Sequence, residues 1–398
     1  MKNYLLVSLI LLIIVSSCVK FPQERGKKEG PGTLVSSTFD WKTIEIKKVS
    51  APYDFSVLNQ YGDTIATNLA AGEYDIYVGK GSLLNVIKAE SNSQQEVTTK
   101  ADITPLASGT GIYFPAKNVY ATVMFEDLFP YPGDRDMNDI VFGLNIIYEV
   151  NKKNEVLALH LNIQPRAVGS TYGTIGLAAY FSGKAVTVDQ ISRSSTTLAG
   201  ITLNHSDVSS LFSIQPYYNF YYPDPSASGD KGVIPFTGDF RYFFISKPAG
   251  SQFYNVMNFG NFVSAHNFTV KVTFKKPAPK YSDFTFLDQT ITTKTNISIF
   301  ATFGVRGKEV HFKYQTPSKL FDTTLFRVTG RTDFSSSKDN WVWAILSDKS
   351  VRHPLEMVKI NNAYPQFNNW LTDQDMTNWY GAKILDSLYT QWNFDYID

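Results

Sequence analysis

Residues 140–163, IVFGLNIIYEVNKKNEVLALHLNI, decide the fold class of this chain. Apolar side chains alternate with other residues along both halves, at Ile140, Phe142, Leu144, Ile146 and Tyr148 and then at Leu157, Leu159, Leu161 and Ile163. A period of two residues is typical of β-strands, because successive side chains point to opposite faces of a sheet. The polar segment Asn151 to Asn154 lies between the halves and predicts a turn. The stretch therefore predicts a β-hairpin with one face in a hydrophobic core.

The segments before this hairpin have the same character. Turn residues at Gly62-Asp63 and Ala71-Gly72 punctuate a series of short apolar runs. These runs predict strands at 43–49, 53–58, 63–68 and 73–78. Another strand is predicted at 119–125, after a polar, glycine-bearing segment at 91–110.

The composition supports a mainly β fold. Of 398 residues, 15% are aromatic and 18% charged, and Gly and Pro occur 25 and 18 times. This length allows more than one domain. We predict a small N-terminal β-sandwich at 36–110 and a larger β-sandwich domain at 117–398, with the boundary near 110–117. Short C-terminal helices are predicted at 365–371 and 373–388, where apolar residues have helical spacing.

The N-terminus predicts export. Lys2 precedes an apolar run from Tyr4 to Val15, which is shorter than the roughly 20 residues of a membrane-spanning helix. Residues 1–17 are therefore predicted to be a signal peptide. Val15-Ser16-Ser17-Cys18 resembles a bacterial lipobox, which implies cleavage before Cys18 and acyl chains on its sulfur. The alternative is a cleaved signal followed by a free thiol.

A lipid on Cys18 would hold the protein on the outer membrane or cell surface of a Gram-negative bacterium. Residues 18–35, rich in Gly, Pro and alternating charge, are predicted to be the lipidated tether. Cys18 is also the only cysteine, which excludes an intramolecular disulfide and a cysteine-based zinc site. A net charge of +1 argues against a nucleic-acid partner. The five histidines are far apart and suggest no zinc site.

The segment EDLFPYPGDRDMND, residues 126–139, contains five acidic side chains. Asp134, Asp136, Asn138 and Asp139 supply oxygen donors at short intervals, and Glu126 and Asp127 are additional candidates from the preceding strand end. Calcium binds six to eight oxygens at about 2.3 to 2.6 Å. The loop is not an EF-hand, which would need a glycine at Asp139 and flanking helices. The alternative is a solvated turn in which these side chains cap backbone amides.

Residues 125–145, FEDLFPYPGDRDMNDIVFGLN, are similar to the signature of the LruC-domain lipoproteins, which carry FEDLWP, then GDYDFND, then an apolar strand. The similarity continues in order through QPRAVG at 164–169, GKEVH at 307–311, TPSKLF at 316–321 and AYPQFNNW at 363–370. Phe129 stands where the family usually has Trp, and Met137 where it has an aromatic residue; both are expected to pack. The resemblance implies a bacterial surface lipoprotein without assigned chemistry. Related domains are associated with calcium and adhesion, so it also favours calcium as the cofactor.

An aromatic run is a second candidate site. Five rings lie within six positions, at Tyr217, Tyr218, Phe220, Tyr221 and Tyr222. Exposed aromatic rings stack on sugars or apolar partners, so the run predicts binding of an extracellular glycan or protein. The alternative is an edge strand or inter-domain packing.

Three functions follow from these observations. The first is a non-catalytic, calcium-binding surface lipoprotein that acts in adhesion or in glycan or protein binding. The second is a structural envelope lipoprotein without a small ligand. The third is a carboxylate-based glycoside hydrolase that uses Glu309 and Glu356, which requires the two carboxylates to face each other across a cleft. The sequence contains no G-x-S-x-G elbow and no phosphate-binding loop, and we predict that the chain is not an enzyme.

Overall fold

The computed structural model describes residues 35–89, 106–195, 206–218, 220–223, 231–248, 251–373, 376 and 378–391. The predicted signal peptide 1–17, Cys18 and the tether up to residue 34 lie outside the described residues. Val35, the last residue of the predicted tether, is already buried. No helix within the described ranges has the length and apolar character needed to cross a membrane.

The mainly β prediction is confirmed. The strands are β1 Ile44–Ala51, β2 Phe55–Asn59, β3 Thr64–Leu69, β4 Gly72–Gly79, β5 Leu84–Lys88, β6 Gly111–Phe114, β7 Ala121–Phe125, β8 Ile140–Val150, β9 Val156–Ala167, β10 Ile175–Gly183, β11 Val188–Ser195, β12 Ile214–Tyr217, β13 Phe220–Pro223, β14 Val233–Thr237, β15 Phe268–Phe274, β16 Phe284–Phe286, β17 Thr295–Phe303, β18 Glu309–His311 and β19 Ala344–Ser347. The first four match the predicted runs to within two residues.

The described helices are all short. The α-helices are α1 Ser206–Ser209, α2 Phe326–Thr329, α3 Ile360–Ala363 and α4 Phe367–Thr372, and the 3-10 helices are Phe240–Phe243, Tyr281–Asp283, Thr323–Leu325 and Leu385–Ser387. Helix α4 confirms the prediction at 365–371. The longer helix predicted at 373–388 is wrong for the described residues of that range, where only the turn Leu385–Ser387 is helical. Trp379 and Leu388 are buried there from irregular backbone and pack into a cluster with other aromatic rings, whereas Ile384 and Leu385 are exposed.

The hairpin read from residues 140–163 is present as β8 and β9. Leu144 pairs with Ile163, Ile146 with Leu161 and Tyr148 with Leu159. The register shifts between Glu149 and Val150, where Val156 becomes the partner of Val150. Leu157 is consequently 40% exposed, although the alternation predicted it on the buried face. One extra residue in a strand moves a side chain out of the alternation.

Two facing sheets form the body of the described chain. The larger sheet has the strand order β12-β13-β11-β15-β9-β8-β6-β3-β2-β5, with β7 between β8 and β19. The smaller has the order β14-β10-β17-β16, with β18 on β17, and β1 pairs with β4 as a separate ribbon. Phe181 of β10 stacks on Phe274 of β15 at 6.5 Å, so the two sheets meet across one hydrophobic core.

The predicted N-terminal sandwich and the larger domain are parts of one compact unit in the structure. Ala66 of β3 pairs with Ile112 of β6, and Ile112 pairs with Tyr148 of β8, so one sheet runs through the boundary proposed near 110–117. Phe55 and Tyr148 belong to the same hydrophobic core. Strands β2 and β3 bury their apolar face by extending the larger sheet, since a small hairpin alone cannot exclude water.

A second core brings together aromatic side chains from both ends of the described chain and packs them with aliphatic residues. It contains Phe39, Trp41, Trp341, Phe367, Trp370 and Trp379. Trp370 contacts Phe39 at 4.8 Å and stacks on Trp379 at 5.5 Å. Met137 of the acidic loop packs into this second core. The loop is thereby held between the sheet and the C-terminal segment.

Candidate metal centre

Residues 126–139, the acidic loop, connect the neighbouring antiparallel strands β7 and β8. Phe125 pairs with Ile140, so the two ends of the loop lie side by side. The backbone N–H of Asp127 donates to Oδ2 of Asp139 at 2.7 Å. Antiparallel pairing thus brings Glu126 and Asp127 to the aspartates, as the sequence predicted.

The middle of the loop has an unusual backbone conformation. Gly133, Arg135 and Met137 have φ values of 60°, 66° and 58°. Positive φ is strained for residues other than glycine, and such strain occurs at ligand sites when surrounding contacts hold it. The guanidinium of Arg135 lies 4.6 Å from the ring centre of Trp341 and forms an ion pair of 2.6 Å with Asp339. The alternate residues Asp136 and Asn138 are buried.

Three carboxylates converge at this loop. Glu126, Asp134 and Asp136 each place an oxygen within 4.8 Å of the other two. Oxygens bound to one calcium ion on opposite sides lie about 5 Å apart, twice the calcium–oxygen distance. The spacing of the three oxygens therefore fits calcium. The donors are oxygens, which suit a hard cation better than zinc.

Two buried oxygens of the loop have no hydrogen-bond donor. Oε1 of Glu126 accepts the backbone N–H of Met137 at 2.6 Å, whereas its Oε2 has no partner. The side-chain NH₂ of Asn138 donates to the carbonyl of Pro354 at 3.2 Å, whereas its Oδ1 has no partner. Leaving a buried acceptor without a donor costs about 1–3 kcal/mol, and more when it is charged. A cation bound next to either atom would compensate for its missing donor.

Gly133 leaves room beside one of these atoms. A Cβ at position 133 would lie 2.6 Å from Oε2 of Glu126, closer than contact distance. The loop therefore needs glycine at this point for two reasons, its positive φ and the approach of the carboxylate.

The pKa values of all six acidic groups at the site are raised. Burial is the main cause, and it raises the pKa of Glu126 to about 8, with the charges of Asp134 and Asp127 adding to the effect. Burial and the neighbouring carboxylates raise the pKa of Asp136 and of Asp139 well above the usual range. Burial also raises the pKa of the remaining three groups, Asp127, Asp134 and Glu356, the last to about 8.

Positive charge is scarce around these groups. Within the described part of the chain, no ion pair joins any of the six carboxylates to Lys, Arg or His. Lys308 lowers the pKa of Asp127 only as a more distant charge. Carboxylates this close to one another repel strongly when they are ionised and buried. A multivalent cation is the simplest compensation.

The alternative of a capped turn accounts for some of the contacts. Oδ1 of Asp136 accepts the backbone N–H of Asn138 at 3.2 Å, and Asp139 caps Asp127. These bonds explain the shape of the loop, but they leave the buried oxygens of Glu126 and Asn138 without a donor. Turn formation and cation binding are therefore compatible here.

The aromatic run forms a hairpin at the outer edge of the larger sheet, where β12 pairs with β13. Tyr217 pairs with Phe220, and their ring centres are 5.1 Å apart. Tyr222 lies 5.4 Å from Phe220 on the same face, and Tyr217 and Tyr218 are 53% and 83% exposed. Tyr221 faces the opposite way, is fully buried and donates to the carbonyl of Pro235. Its prediction as a ligand-binding residue is wrong, because alternate residues of a strand point to opposite faces.

Glu309 and Glu356, the pair considered for a hydrolase, belong to different surroundings. Glu309 is fully buried and accepts hydrogen bonds from Arg306, His311 and Ser318. These donors keep its pKa at about 2 in spite of burial. Glu356 instead lies beside the acidic loop, where its charge raises the pKa of Asp136. Sequence reasoning missed Glu356 at this site, because it is more than 200 positions away from the loop.

Phe129 and Met137, which differ from the LruC-domain signature, both pack as expected. Phe129 lies 4.9 Å from Trp343 in the main core, and Met137 is fully buried in the second core. Neither side chain supplies an oxygen to the site.

Comparison with known proteins gives three findings. A family model described as a domain of unknown function (DUF4842) matches residues 154–380. The chain is similar to a crystal structure of a Bacteroides ovatus protein named "Putative lipoprotein", with a TM-score of 0.52 and 16% identity over 92% of this chain and 98% of that chain. No curated protein matches the chain. The matched range contains Glu356 but begins after the acidic loop.

Proposed function

The chain belongs to the DUF4842 family, whose domain has no known function, and from this premise we propose that it is a non-catalytic, lipid-anchored surface protein with a calcium site at the acidic loop. The single observation behind the calcium site is the convergence of three carboxylates, two of them buried and one half-buried, that have no cationic partner among the described residues. Glu126, Asp134 and Asp136 are its central ligands, and Asp127, Asn138 and Asp139 surround them. The ion would supply positive charge and fix the loop between β7 and β8.

Two independent observations support the lipid anchor. The segment ending at Cys18 resembles a lipobox, and the structurally similar Bacteroides ovatus protein is named as a lipoprotein. Attachment through acyl chains would place the protein on the outer membrane or cell surface. The resemblance to LruC-domain lipoproteins agrees with this location and stays a prediction.

The calcium proposal is tested on the soluble form, residues 19–398. Its thermal midpoint is measured in EDTA, magnesium or calcium, for the wild type and for Asp136→Ala. Asp386→Ala serves as the control, since Asp386 is exposed. We expect calcium to raise the midpoint of the wild type and the control but not that of Asp136→Ala. A ligand that binds the native state better than the unfolded chain raises the midpoint, and Asp136→Ala lacks a central ligand. Identical midpoints for the wild type in all three solutions would contradict the proposal and favour a structural envelope lipoprotein without a ligand.

We further propose that the exposed face of the β12–β13 hairpin binds an extracellular glycan or protein. Its support is the set of neighbouring rings on that face, the exposed Tyr217 and Tyr218 and the half-buried Phe220 and Tyr222. Aromatic faces contribute binding energy at little entropic cost. A glycan array probed with the wild type and with Tyr217→Ala/Tyr218→Ala tests the glycan case, and Tyr61→Ala, another exposed tyrosine, is the control. Equal signals for all three proteins would exclude this surface as the glycan site.

A further inference from the structure

Residues 354–360 cross the acidic loop and are hydrogen-bonded to it. The backbone N–H of Met357 donates to Oδ2 of Asp136 at 2.7 Å, and that of Ile360 donates to the carbonyl of Arg135 at 2.9 Å. The carbonyl of Pro354 accepts the side-chain NH₂ of Asn138. The acidic loop thus contacts a segment more than 200 positions away in sequence.

Glu356 lies in the middle of this segment, and one of its oxygens has no partner. Oε2 of Glu356 is buried without a hydrogen-bond donor, as is Oδ1 of Asn138. Both atoms face Gly169. A Cβ at position 169 would lie 2.2 Å from Oδ1 of Asn138 and 2.9 Å from Oε2 of Glu356. The glycine therefore leaves space in which two oxygen acceptors meet.

The position of Asp136 connects these oxygens to the central ligands. One of its oxygens belongs to the group formed with Glu126 and Asp134. Its Oδ2 is bonded to Met357, the residue next to Glu356. Met357 has a φ of 63°, so positive φ occurs both in the acidic loop, at Arg135 and Met137, and in the segment that is hydrogen-bonded to Asp136. Asp136 thus links the group of three carboxylates directly to residues 354–360.

We propose that Glu356 and Asn138 are cation ligands of this same centre, so that the ion ties residues 354–360 to the larger sheet. This inference rests on the proposed calcium site. Tyr364, Phe367 and Trp370 of the second core follow closely after the tied segment. Calcium consequently stabilises the C-terminal segment against local opening, and its removal leaves Glu356 and Asp136 to repel each other.

The test combines calcium titration calorimetry with hydrogen exchange on the soluble form, residues 19–398. The variants are Glu356→Gln and Asp136→Ala, and Glu73→Gln is the control because Glu73 is exposed and makes only a surface ion pair. Glu356→Gln keeps the size of the side chain and replaces a half-buried carboxyl group by a neutral amide, so the variant is expected to fold. Loss of a ligand should weaken calcium affinity at least about tenfold.

In the wild type, calcium should slow exchange of the Met357 and Ile360 amides about tenfold or more. In Glu356→Gln this protection should be lost, while calcium still protects the amide of Met137 in the acidic loop. If Glu356→Gln binds calcium as tightly as the wild type and protects residues 354–360 equally, Glu356 is not a ligand and the acidic-loop site stands without it. Absence of calcium binding to the wild type overturns both proposals.

Discussion

Glu126→Gln should be more stable than the wild type without calcium, and calcium should reduce or remove this advantage. The substitution keeps the size of the side chain and an oxygen that accepts the N–H of Met137, but it removes the charge. Burial raises the pKa of Glu126 from 4.5 to about 8, so ionisation is unfavourable in the folded calcium-free protein. Each pH unit between 4.5 and 7 adds about 1.4 kcal/mol to this penalty, which comes to about 3 kcal/mol at pH 7.

Without calcium, Glu126→Gln is therefore expected to be more stable than the wild type by up to about 3 kcal/mol at pH 7. With calcium at 100 times its dissociation constant, the wild type gains about 2.7 kcal/mol by binding, and the variant gains less because a neutral amide is a weaker ligand. The difference in stability between the two proteins should then shrink to nearly zero.

Urea unfolding at pH 7, in EDTA and in calcium, measures both differences. Glu149→Gln is the control: Glu149 is also buried, but its bond to His160 is the main reason that its pKa is about 2, so its loss should destabilise the protein in both solutions. If Glu126→Gln is less stable than the wild type in EDTA as well as in calcium, Glu126 is a structural hydrogen-bond acceptor and the reasoning fails.

Three further outcomes are expected. Because the pKa values of Glu126 and Glu356 are raised to about 8, the folded calcium-free protein binds more protons than the unfolded chain. Urea midpoints in EDTA should therefore fall from pH 5 to pH 8. Calcium affinity, measured by calorimetry, should rise over the same range, because the ligands lose their protons. Trp370→Ala should cost about 3–5 kcal/mol in urea unfolding, since Trp370 is fully buried among aromatic rings, whereas an unchanged midpoint would mean that the second core contributes little. Tyr221→Phe should cost about 1–3 kcal/mol by leaving the carbonyl of Pro235 without its donor, while exposed Tyr217→Ala should stay within about 0.5 kcal/mol; equal costs would contradict the assigned faces.

Much of the local structure was predictable because it depends on neighbouring residues. The alternation of apolar side chains predicted β8 and β9, and turn residues placed the first four strands. The acidic loop was predictable for the same reason, since pairing of the strands on either side brings its ends together. Leu157 is the exception, because a shift of register in one strand cannot be read from the alternation.

The sequence by itself determined the β class, the strands β1 to β4 and β7 to β9, and the residues of the acidic loop, because their periodicity and spacing are local properties of the chain. Only the tertiary structure decided that the two predicted domains share one sheet and core, that Tyr221 is buried, and that Glu356 and Gly169 lie against Asn138. These outcomes depend on contacts between residues far apart in sequence. Such contacts form because whole apolar faces are buried together. The residues of a short stretch do not specify which distant face will pack against it.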